Sequence, residues 1–428
     1  MLQAMVNVFK LPDLRRRLLF TLMILVIFRL FAAVPVPGVD AEKLAEFFQG
    51  NQFLSILDLF SGGAMSRLSI AMMGVYPYIT STIIIQLLTP IIPKLEEWSR
   101  EGEAGRQRVN QIMHWMMVPL ALFQAFAQIS LYASQGIITN WGFDNPSAVL
   151  ATVAILATVT TGSVVCVWFG ELISEAGIGN GVSIIILANI VARLPGQIGT
   201  TLILGQNWLG IIVFFAITII TVVAIVMVQE GERRIPVHYA KRVRGRRVYG
   251  GGSTHVPIKV LSAGMIPLIF ALSILAFPTV IGSYMQQGEG WVGDVGRALV
   301  SMFDQGSIIY WITYFLMTVG FTYFYTMVIF EQQDLAGNLQ KQGGFIPGIR
   351  PGRPTQDYLA RVLNRVTLFG AVFLGVVAVL PYFARLITGV QTMSLESTSV
   401  LIVVGVVLDT MKQLEAQLLM RHYEGFIR

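Results

Sequence analysis

Apolar stretches long enough to cross a lipid bilayer recur along this 428-residue chain, and they restrict its fold more than any other feature. An α-helix needs about 20 residues to span roughly 30 Å of hydrocarbon. Charged residues make up only 13% of the chain, whereas soluble domains carry about 25% and use them to cover a water-facing surface. The sequence therefore predicts a polytopic integral membrane protein with an all-α fold.

Ten of these stretches are assigned as membrane-spanning helices. They lie at Leu18–Val36, Leu68–Ile92, Ile112–Ala133, Ala148–Phe169, Val182–Leu194, Leu209–Val228, Val260–Tyr284, Ile308–Phe330, Val366–Leu386 and Ser397–Leu418. The fifth has only about 13 clearly apolar residues, so we expect polar flanks or packing inside protein to support it. An even number of spans places both termini on the same side of the membrane.

The basic residues of the connecting loops indicate which side is cytoplasmic, because cytoplasmic loops carry an excess of lysine and arginine. With a cytoplasmic amino terminus, 24 of the 30 basic residues fall on that side and 5 on the other. Arg29, Asp409 and Lys412 lie toward span ends, from which we expect their side chains to reach water. Both termini are predicted to be cytoplasmic, and no cleaved signal peptide is expected.

Two long cytoplasmic loops, 229–259 and 331–365, differ in character. The first holds eight basic residues interleaved with Tyr239 and Tyr249, and the second contains a turn-rich segment at 344–352 that we expect to lack regular structure. The charge bias by itself explains basic loops that stay inside. Two long loops projecting from one face also suit docking of a large acidic or nucleic-acid-bearing partner. Neither loop has the Walker pattern, so no nucleotide hydrolysis is expected.

Residues 60–67, just before the second span, are too polar and glycine-rich to face lipid. Such backbone is tolerated at membrane depth only inside protein or beside a watery cavity, although from these residues alone an ordinary external loop is the simpler interpretation. Within the second span, Pro77 is predicted to kink the helix. Thr80 and Gln86 offer polar groups along part of it, and such groups often join neighbouring helices.

Three glycines occur in the five-residue segment 177–181, between the fourth and fifth spans. Glycine at this density allows close backbone approach and a tight reversal. A phosphate-cradling loop is the alternative, but no lysine follows, and Glu171 and Glu175 would repel an anion.

The predicted span centres hold almost no ionisable residues, which ion-coupled carriers need near the bilayer midplane. Cys166 is the only cysteine and the four histidines are far apart in sequence, so we expect no disulfide, metal, cofactor or catalytic residue. An apolar pathway with basic docking loops suits passage of a polymer. The alternative is an inverted-repeat secondary transporter, because short, glycine-interrupted spans also mark those folds.

Several segments, in chain order, carry a resemblance to a known family. They are Arg15–Leu19, Pro35–Gly38, Ala71–Leu88 with its Gly-x-x-Pro-Tyr-Ile, Val167–Ile186 with its Gly-Ile-Gly-Asn-Gly, Tyr239–Tyr249, Ser253–His255 and Phe345–Gly352. Together they resemble the SecY family, the channel subunits of the bacterial Sec protein translocon. The resemblance runs nearly from end to end of the chain.

The resemblance implies ten helices in two inverted five-helix halves around an hourglass pore. Its boundaries would be a cytoplasmic segment at 1–17, a first half at 18–200, a second half at 201–420 that includes both cytoplasmic loops, and a cytoplasmic tail at 421–428. The implied function is that of a central channel, which passes unfolded secretory polypeptides across the membrane and releases transmembrane segments laterally into lipid. A partner motor or the ribosome would drive it.

The resemblance also implies which residues act in the channel. An aliphatic pore ring would consist of Val75, Ile79, Val182, Ile186, Ile269 and Ile402. A movable plug at about 54–67 would include Phe60, Ser61, Gly62, Gly63, Ala64, Met65, Ser66 and Arg67. Polar contacts at a lateral gate would come from Thr80, Gln86 and Gln124.

The implied partners dock on the cytoplasmic side. Arg246 and Arg247 would meet ribosomal RNA, ribosomal proteins near the exit tunnel or the motor, and Arg350 would meet the SecA motor ATPase. The companion subunits would be SecE and SecG, with SecDF and YidC as further candidates, beside translocating polypeptides and the lipid bilayer. The implied location is the bacterial cytoplasmic membrane.

Overall fold

The structure is a computed structural model that describes residues 11–424 with short gaps. The gaps are residues 37–38, 41, 45–46, 48–57, 59–60, 139, 144, 204–207, 240–241, 245–246, 250–251, 265, 287, 289, 305 and 389–395. Parts of the predicted amino-terminal segment, plug and carboxy-terminal tail, including Phe60, therefore lie outside the described residues.

The fold is predominantly helical, and a helix coincides with each of the ten predicted spans. The helices are α1 Pro12–Ala32, α2 Tyr76–Leu88, α3 Pro93–Arg100, α4 Glu103–Ser134, α5 Pro146–Ala176, α6 Gly181–Ile203, α7 Trp208–Glu230, α8 Ile266–Met285, α9 Trp291–Met302, α10 Ile308–Gln333, α11 Leu335–Lys341, α12 Arg353–Thr388 and α13 Glu396–Glu424. Within the described residues, α4, α5, α8, α10 and α12 are each long and apolar enough to cross a membrane. Helices α2 and α3 pass the same test as a pair bent by 104°.

The second span differs from its prediction at its start. Residues 68–75 form consecutive turns, and α2 begins only at Tyr76. Pro77 therefore stands in the first helical turn, where its missing N–H has no intrahelical acceptor to lose and its fixed φ favours the helix. The predicted kink at Pro77 is wrong, because the residue opens the helix instead of interrupting it.

The fifth span is longer as a helix than as an apolar run. Helix α6 has 23 residues, of which Gly181–Ala192 form the apolar part. The helical backbone thus continues past the apolar run of the predicted span.

The described residues form two compact units. One comprises residues up to 206, 283–297 and those from 402 onward, and the other comprises 207–282 and 298–401. The predicted inverted halves concern internal symmetry, which a division by spatial proximity does not test.

The second unit contains short strands that the sequence analysis did not predict. They are β1 Glu232–Tyr239, β2 Arg242–Arg244, β3 Arg247–Tyr249, β4 Ser253–Lys259 and β5 Gly344–Phe345. Strand β1 lies between β4 and β5 in an antiparallel sheet, while β2 and β3 form a separate hairpin. The prediction that 344–352 lacks regular structure is wrong for Gly344 and Phe345, which pair with β1, and is confirmed for residues 346–352.

The sheet joins loops 229–259 and 331–365, both predicted to be cytoplasmic, into one packed body. Ile235 and Val237 of β1 share a buried cluster with three residues of the second loop. These are Leu339 of α11, Ile346 just after β5, and Leu359 of α12. The first loop therefore rests on the second, because alternate residues of β1 bury their side chains in a core that α11 and α12 complete.

Candidate functional site

Asp58 and residues 61–66, within the predicted plug, form a loop that is organised by the Asp58 carboxylate. Asp58 is completely buried. Its Oδ1 accepts hydrogen bonds of 2.9 Å from the Ser61 hydroxyl and from the backbone N–H groups of Met65 and Ser66. A buried ionisable group is retained only where its partners replace water, so Asp58 is the structural centre of this loop.

The loop reverses at two glycines and meets two membrane helices. Gly62 and Gly63 have φ angles of +68° and +88°, in the left-handed region that glycine enters without a steric penalty. Arg29 Nη1 of α1 donates a 2.6 Å hydrogen bond to the Gly62 carbonyl. A methyl group on Gly62 would collide with the side chains of Arg29 and of Asn189 on α6. Arg29, which the sequence analysis expects to reach toward water, is partly buried and joins α1 to this loop through that hydrogen bond.

The carboxy-terminal end of the loop is part of a hydrophobic core. Met65 and Leu68 are buried in a cluster with Ile129 and Tyr132 of α4 and with Ile155 of α5. The backbone N–H of residue 36 donates to the carbonyl of residue 68 at 2.9 Å, which ties the segment after α1 to the same place. The loop is therefore fixed at this end.

Burial varies along the predicted plug. Ser61, Gly62, Ala64 and Met65 are buried, Gly63 and Ser66 are partly buried, and Arg67 is exposed.

Two of the three predicted gate residues contact each other. Gln124 Nε2 of α4 donates a 3.3 Å hydrogen bond to Thr80 Oγ1 of α2. The side-chain carbonyls of Gln86 and Gln124 accept no hydrogen bond in the described part of the chain, although both oxygens are buried. The amide oxygens are therefore unsatisfied acceptors within an apolar unit. A buried acceptor of this kind costs free energy unless water or a peptide group supplies a donor.

The predicted ring residues lie on four helices or their starts. Val75 immediately precedes α2, and Ile79 follows one turn later. Val182 and Ile186 lie one turn apart on α6, where Val182 is partly buried and Ile186 is buried. The remaining two members are Ile269, which is partly buried on α8, and Ile402, which is buried on α13.

The ring members are distributed over both units. Ile269 belongs to the second unit and the other five to the first. Val182 also packs against Gly170 of α5, so its surroundings include a neighbouring helix.

The glycine-rich segment at 177–181 makes the predicted tight reversal. Gly181 N donates to Ser174 Oγ at 2.8 Å, and Ser174 Oγ donates to the Gly170 carbonyl at 3.0 Å. A methyl group on Gly181 would overlap the Gly170 carbonyl, so α5 and α6 approach backbone to backbone. Asn180 Oδ1 accepts from Ser183 N at 3.1 Å and caps the start of α6.

Two of the predicted docking residues are described, Arg350 after β5 and Arg247 on the separate β2–β3 hairpin. Arg350 has an exposed side chain, and its carbonyl accepts a 2.8 Å hydrogen bond from the Thr355 hydroxyl. Arg247 begins β3 and pairs in register with Arg244 of β2. Arg246 lies outside the described residues.

Sequence reasoning missed Asp58 and the contact between His114 and Glu171. His114 Nε2 of α4 lies 2.6 Å from Glu171 Oε1 of α5, beside the ring of Tyr78 on α2. Asp58 could have been found as an acidic residue inside the apolar run 54–60. A charged residue in such a setting indicates a functional or structural role, because its burial is costly. Among the described residues, no three His, Cys, Asp or Glu side chains lie close enough to hold a metal ion.

Comparison with known sequences relates the whole chain to one family. The family model described as SecY matches residues 69–411. A protein translocase subunit SecY from Mycobacterium tuberculosis (strain ATCC 25618 / H37Rv) is 42% identical over 445 residues, which cover 100% of both chains. A protein of the same name from Thermotoga maritima is 44% identical over 437 residues, which cover 100% of this chain and 98% of that one.

Comparison with solved structures gives the same relation at the level of the fold. A structure concerned with how the plug domain of SecY stabilises the closed state of the translocation channel aligns with a TM-score of 0.63 at 19% identity. Sec61 in a canine ribosome–channel complex from the endoplasmic reticulum aligns with a TM-score of 0.62 at 18% identity. Each alignment covers 96% of this chain and 96% of the other.

Proposed function

The chain belongs to the SecY family of protein translocase subunits, and on that basis we propose which of its residues line the polypeptide path and which dock its partners. As a member of this family it is a protein-conducting channel subunit and not an enzyme. It passes unfolded polypeptides across the membrane and releases transmembrane segments into lipid. The observation that carries the residue assignments is the hydrogen-bonded, glycine-containing loop at 58–66, held inside an apolar helical unit.

The constriction of the path consists of the six aliphatic ring residues, and the loop at 58–66 is the plug that stops the path at rest. A narrow apolar ring excludes water and ions by dewetting. It offers no hydrogen-bond partner to a passing polypeptide, so it does not trap one. Aliphatic side chains of this kind also adapt to the varied side chains of a moving chain.

A lateral gate beside α2 and α4 uses the pair Thr80 and Gln124, with Gln86 as a third polar group. Support comes from the 3.3 Å hydrogen bond across the two helices and from the unused amide oxygens. Weak polar contacts of this sort hold a seam closed and exchange readily with water or peptide groups when it opens.

Site-specific crosslinking of a stalled secretory chain tests the proposed path. Photo-reactive residues at Ile79, Ile186, Ile269 and Ile402 are expected to capture the chain, because every ring position faces it. Matched positions on the same helices have exposed aliphatic or aromatic side chains and are expected to capture lipid. They are Val191 on α6, Phe277 on α8 and Val407 on α13.

Capture of the stalled chain at the ring positions, several-fold above the matched positions, is the expected outcome. Equal capture at Val191, Phe277 and Val407 would contradict the ring. Capture at Ile186 without Ile269 would instead place the path within one unit.

The docking surface for the ribosome and for the SecA motor consists of the β2–β3 hairpin and of residues 346–352, which follow strands β1 and β5 of the packed body. Arg247 pairs in register with Arg244 on the β2–β3 hairpin, and ribosomal RNA supplies the phosphate anions that basic residues bind. The buried anchor Ile346 fixes the loop that carries Arg350 to the same body.

Reversing the charge of Arg350 is expected to impair motor-driven export. The Arg350→Glu variant should lose at least about tenfold in the rate of motor-dependent transport into vesicles, since like-charge juxtaposition at an interface costs several kcal/mol. The channel should stay folded, because the side chain is exposed and the backbone bond to Thr355 does not depend on it.

Arg361→Glu is the matched control for this experiment. Arg361 is also exposed, and its side chain donates along its own helix to the Asp357 carbonyl. Normal export by Arg350→Glu, or an equal defect in Arg361→Glu, would rule out a specific motor contact at Arg350.

The full assembly is proposed to contain SecE and SecG, with SecDF and YidC as further partners, in the bacterial cytoplasmic membrane. Both termini face the cytoplasm in this arrangement. The distribution of 24 and 5 basic residues between the two sides supports that orientation.

A further inference from the structure

We propose that Arg29 is a latch, a positioning residue on α1 that holds the plug loop in its resting place through the Gly62 carbonyl. The inference rests on the proposed plug function of residues 58–66 and adds the residue that retains the loop. The first step is the bond itself, which is 2.6 Å long and joins a guanidinium to a carbonyl 33 residues away. Charge-assisted bonds of this length are the stronger class of hydrogen bond, particularly away from bulk water.

The loop is internally rigid, so its attachment can break without the loop unfolding. Asp58 closes the loop on itself through Ser61, Met65 and Ser66. All three bonds lie within the loop and would move with it. The contacts that join the loop to the surrounding helices are different ones, and Arg29 supplies a charged one.

The geometry at Gly62 brings the loop close to two helices. Glycine at this position lets the backbone pass against the side chains of Arg29 on α1 and Asn189 on α6, where a methyl group would collide with both. At the other end, Met65 and Leu68 are buried in the core with α4 and α5. The loop is therefore expected to open from the Arg29 side and to turn about its buried end.

An arginine near the end of a membrane helix can keep its charge hydrated at a lower free-energy cost than by making this bond. Its side chain could extend to the headgroup region, as the sequence analysis predicted. It instead donates to a loop carbonyl and is partly buried. Arginine within a membrane span is expensive and marks function, and the function that this contact suits is retention of the plug.

The test measures plug position and channel leak separately in the reconstituted translocon complex. Spin labels at Gly63→Cys, where an added side chain has open space beside the Arg29 contact, and at Glu175→Cys at the exposed end of α5 report the position of the loop, in a Cys166→Ala background. Ion conductance of resting channels in planar bilayers reports the seal. The variants are Arg29→Gln, which removes the charge, and Arg29→Lys, which keeps a cation and one donor.

Arg29→Gln is expected to add a second, displaced distance population and to raise resting conductance about tenfold. That factor is what the loss of one charge-assisted hydrogen bond produces in a two-state equilibrium. Arg29→Lys should restore much of the wild-type behaviour. The matched control is Lys43→Gln, which removes another cation that donates to a glycine carbonyl, that of Gly136 at an exposed site. It should change neither readout.

The outcomes separate the latch from the plug. An unchanged distance distribution in Arg29→Gln overturns the latch. The resting conductance of a channel that lacks residues 61–66 then shows separately whether this loop seals the channel. A displaced loop with wild-type conductance keeps the latch and rejects the plug as the stopper. Equal effects of Lys43→Gln would overturn the latch, because loss of any cation would then suffice.

A second variant guards against failure of Arg29→Gln to fold. Gly62→Ala disrupts the same contact from the loop side, because the added methyl group would overlap the Arg29 guanidinium. It should reproduce both the displaced population and the leak, and wild-type behaviour of both readouts would count against the latch.

Discussion

Replacing Asp58 by alanine is expected to unfold the plug loop while the membrane helices stay intact. The substitution leaves the Ser66 N–H without its acceptor in the loop, while the Ser61 hydroxyl and the Met65 N–H each lose one of two acceptors and keep the Asp58 carbonyl and Ser61 Oγ. An unmet buried donor costs about 1–3 kcal/mol and the two weakened donors add to this, so the loop should lose about 3 kcal/mol. Hydrogen exchange of the Met65 and Ser66 amides should rise by about a hundredfold, which corresponds to that energy. Resting ion conductance should rise with it.

Two variants make this result specific. Asp58→Asn keeps an oxygen at the position of Oδ1 and should preserve most of the protection. Asp40→Ala removes another aspartate whose Oδ1 accepts from two backbone N–H groups, those of Glu42 and Lys43, but at an exposed site. Water replaces the acceptor there, so little should change. Retained protection at Met65 and Ser66 in Asp58→Ala would show that the carboxylate does not organise the loop.

The helices were predictable from the sequence because their signal is local. A run of about 20 apolar residues predicts a membrane span whatever the rest of the chain contains. The reversal at 177–181 was predictable for the same reason, since glycine needs no distant partner to permit it. Pro77 shows the limit of local reading, because proline interrupts a helix or starts one depending on where the first turn lies.

The contacts of the proposed plug loop were not predictable because the residues that make them are distant in sequence. Arg29 and Gly62 are 33 residues apart, and nothing in either segment specifies the other. The strands of the two proposed cytoplasmic loops were missed for a related reason. Strand β1 gains its partners from β4 and from β5, more than a hundred residues further along. The sequence of a basic loop and the sequence of a paired strand cannot be told apart until the partner strand is known.

The ring residues present a different difficulty. Val75, Ile79, Val182 and Ile186 are aliphatic residues in aliphatic helices, and composition cannot separate a pore-facing side chain from one that faces lipid or protein. Only the family resemblance selected them. Burial does not decide their role either, because a residue packed in a closed constriction and one packed in a core are equally hidden from water.

The largest effect on the stability of the channel is expected from enlarging Gly181. A valine there would overlap the carbonyl of Gly170 and force α5 and α6 apart. It would also disturb the Ser174 hydroxyl, which bridges Gly181 N and the Gly170 carbonyl. Overpacking at a site that cannot relax costs about 3 kcal/mol or more. The midpoint of thermal unfolding in detergent should therefore fall by several degrees, and expression of the folded channel should fall with it.

Gly320→Ala is the matched control for this prediction. Gly320 lies inside membrane helix α10 and has open space where a methyl group would be added. Alanine has the higher helix propensity by about 1 kcal/mol, so this variant should be neutral or slightly more stable. A Gly181→Val channel as stable as wild type would mean that α5 and α6 can separate without loss. The glycine segment would then not be needed for close packing, and another reason for its three glycines would have to be found.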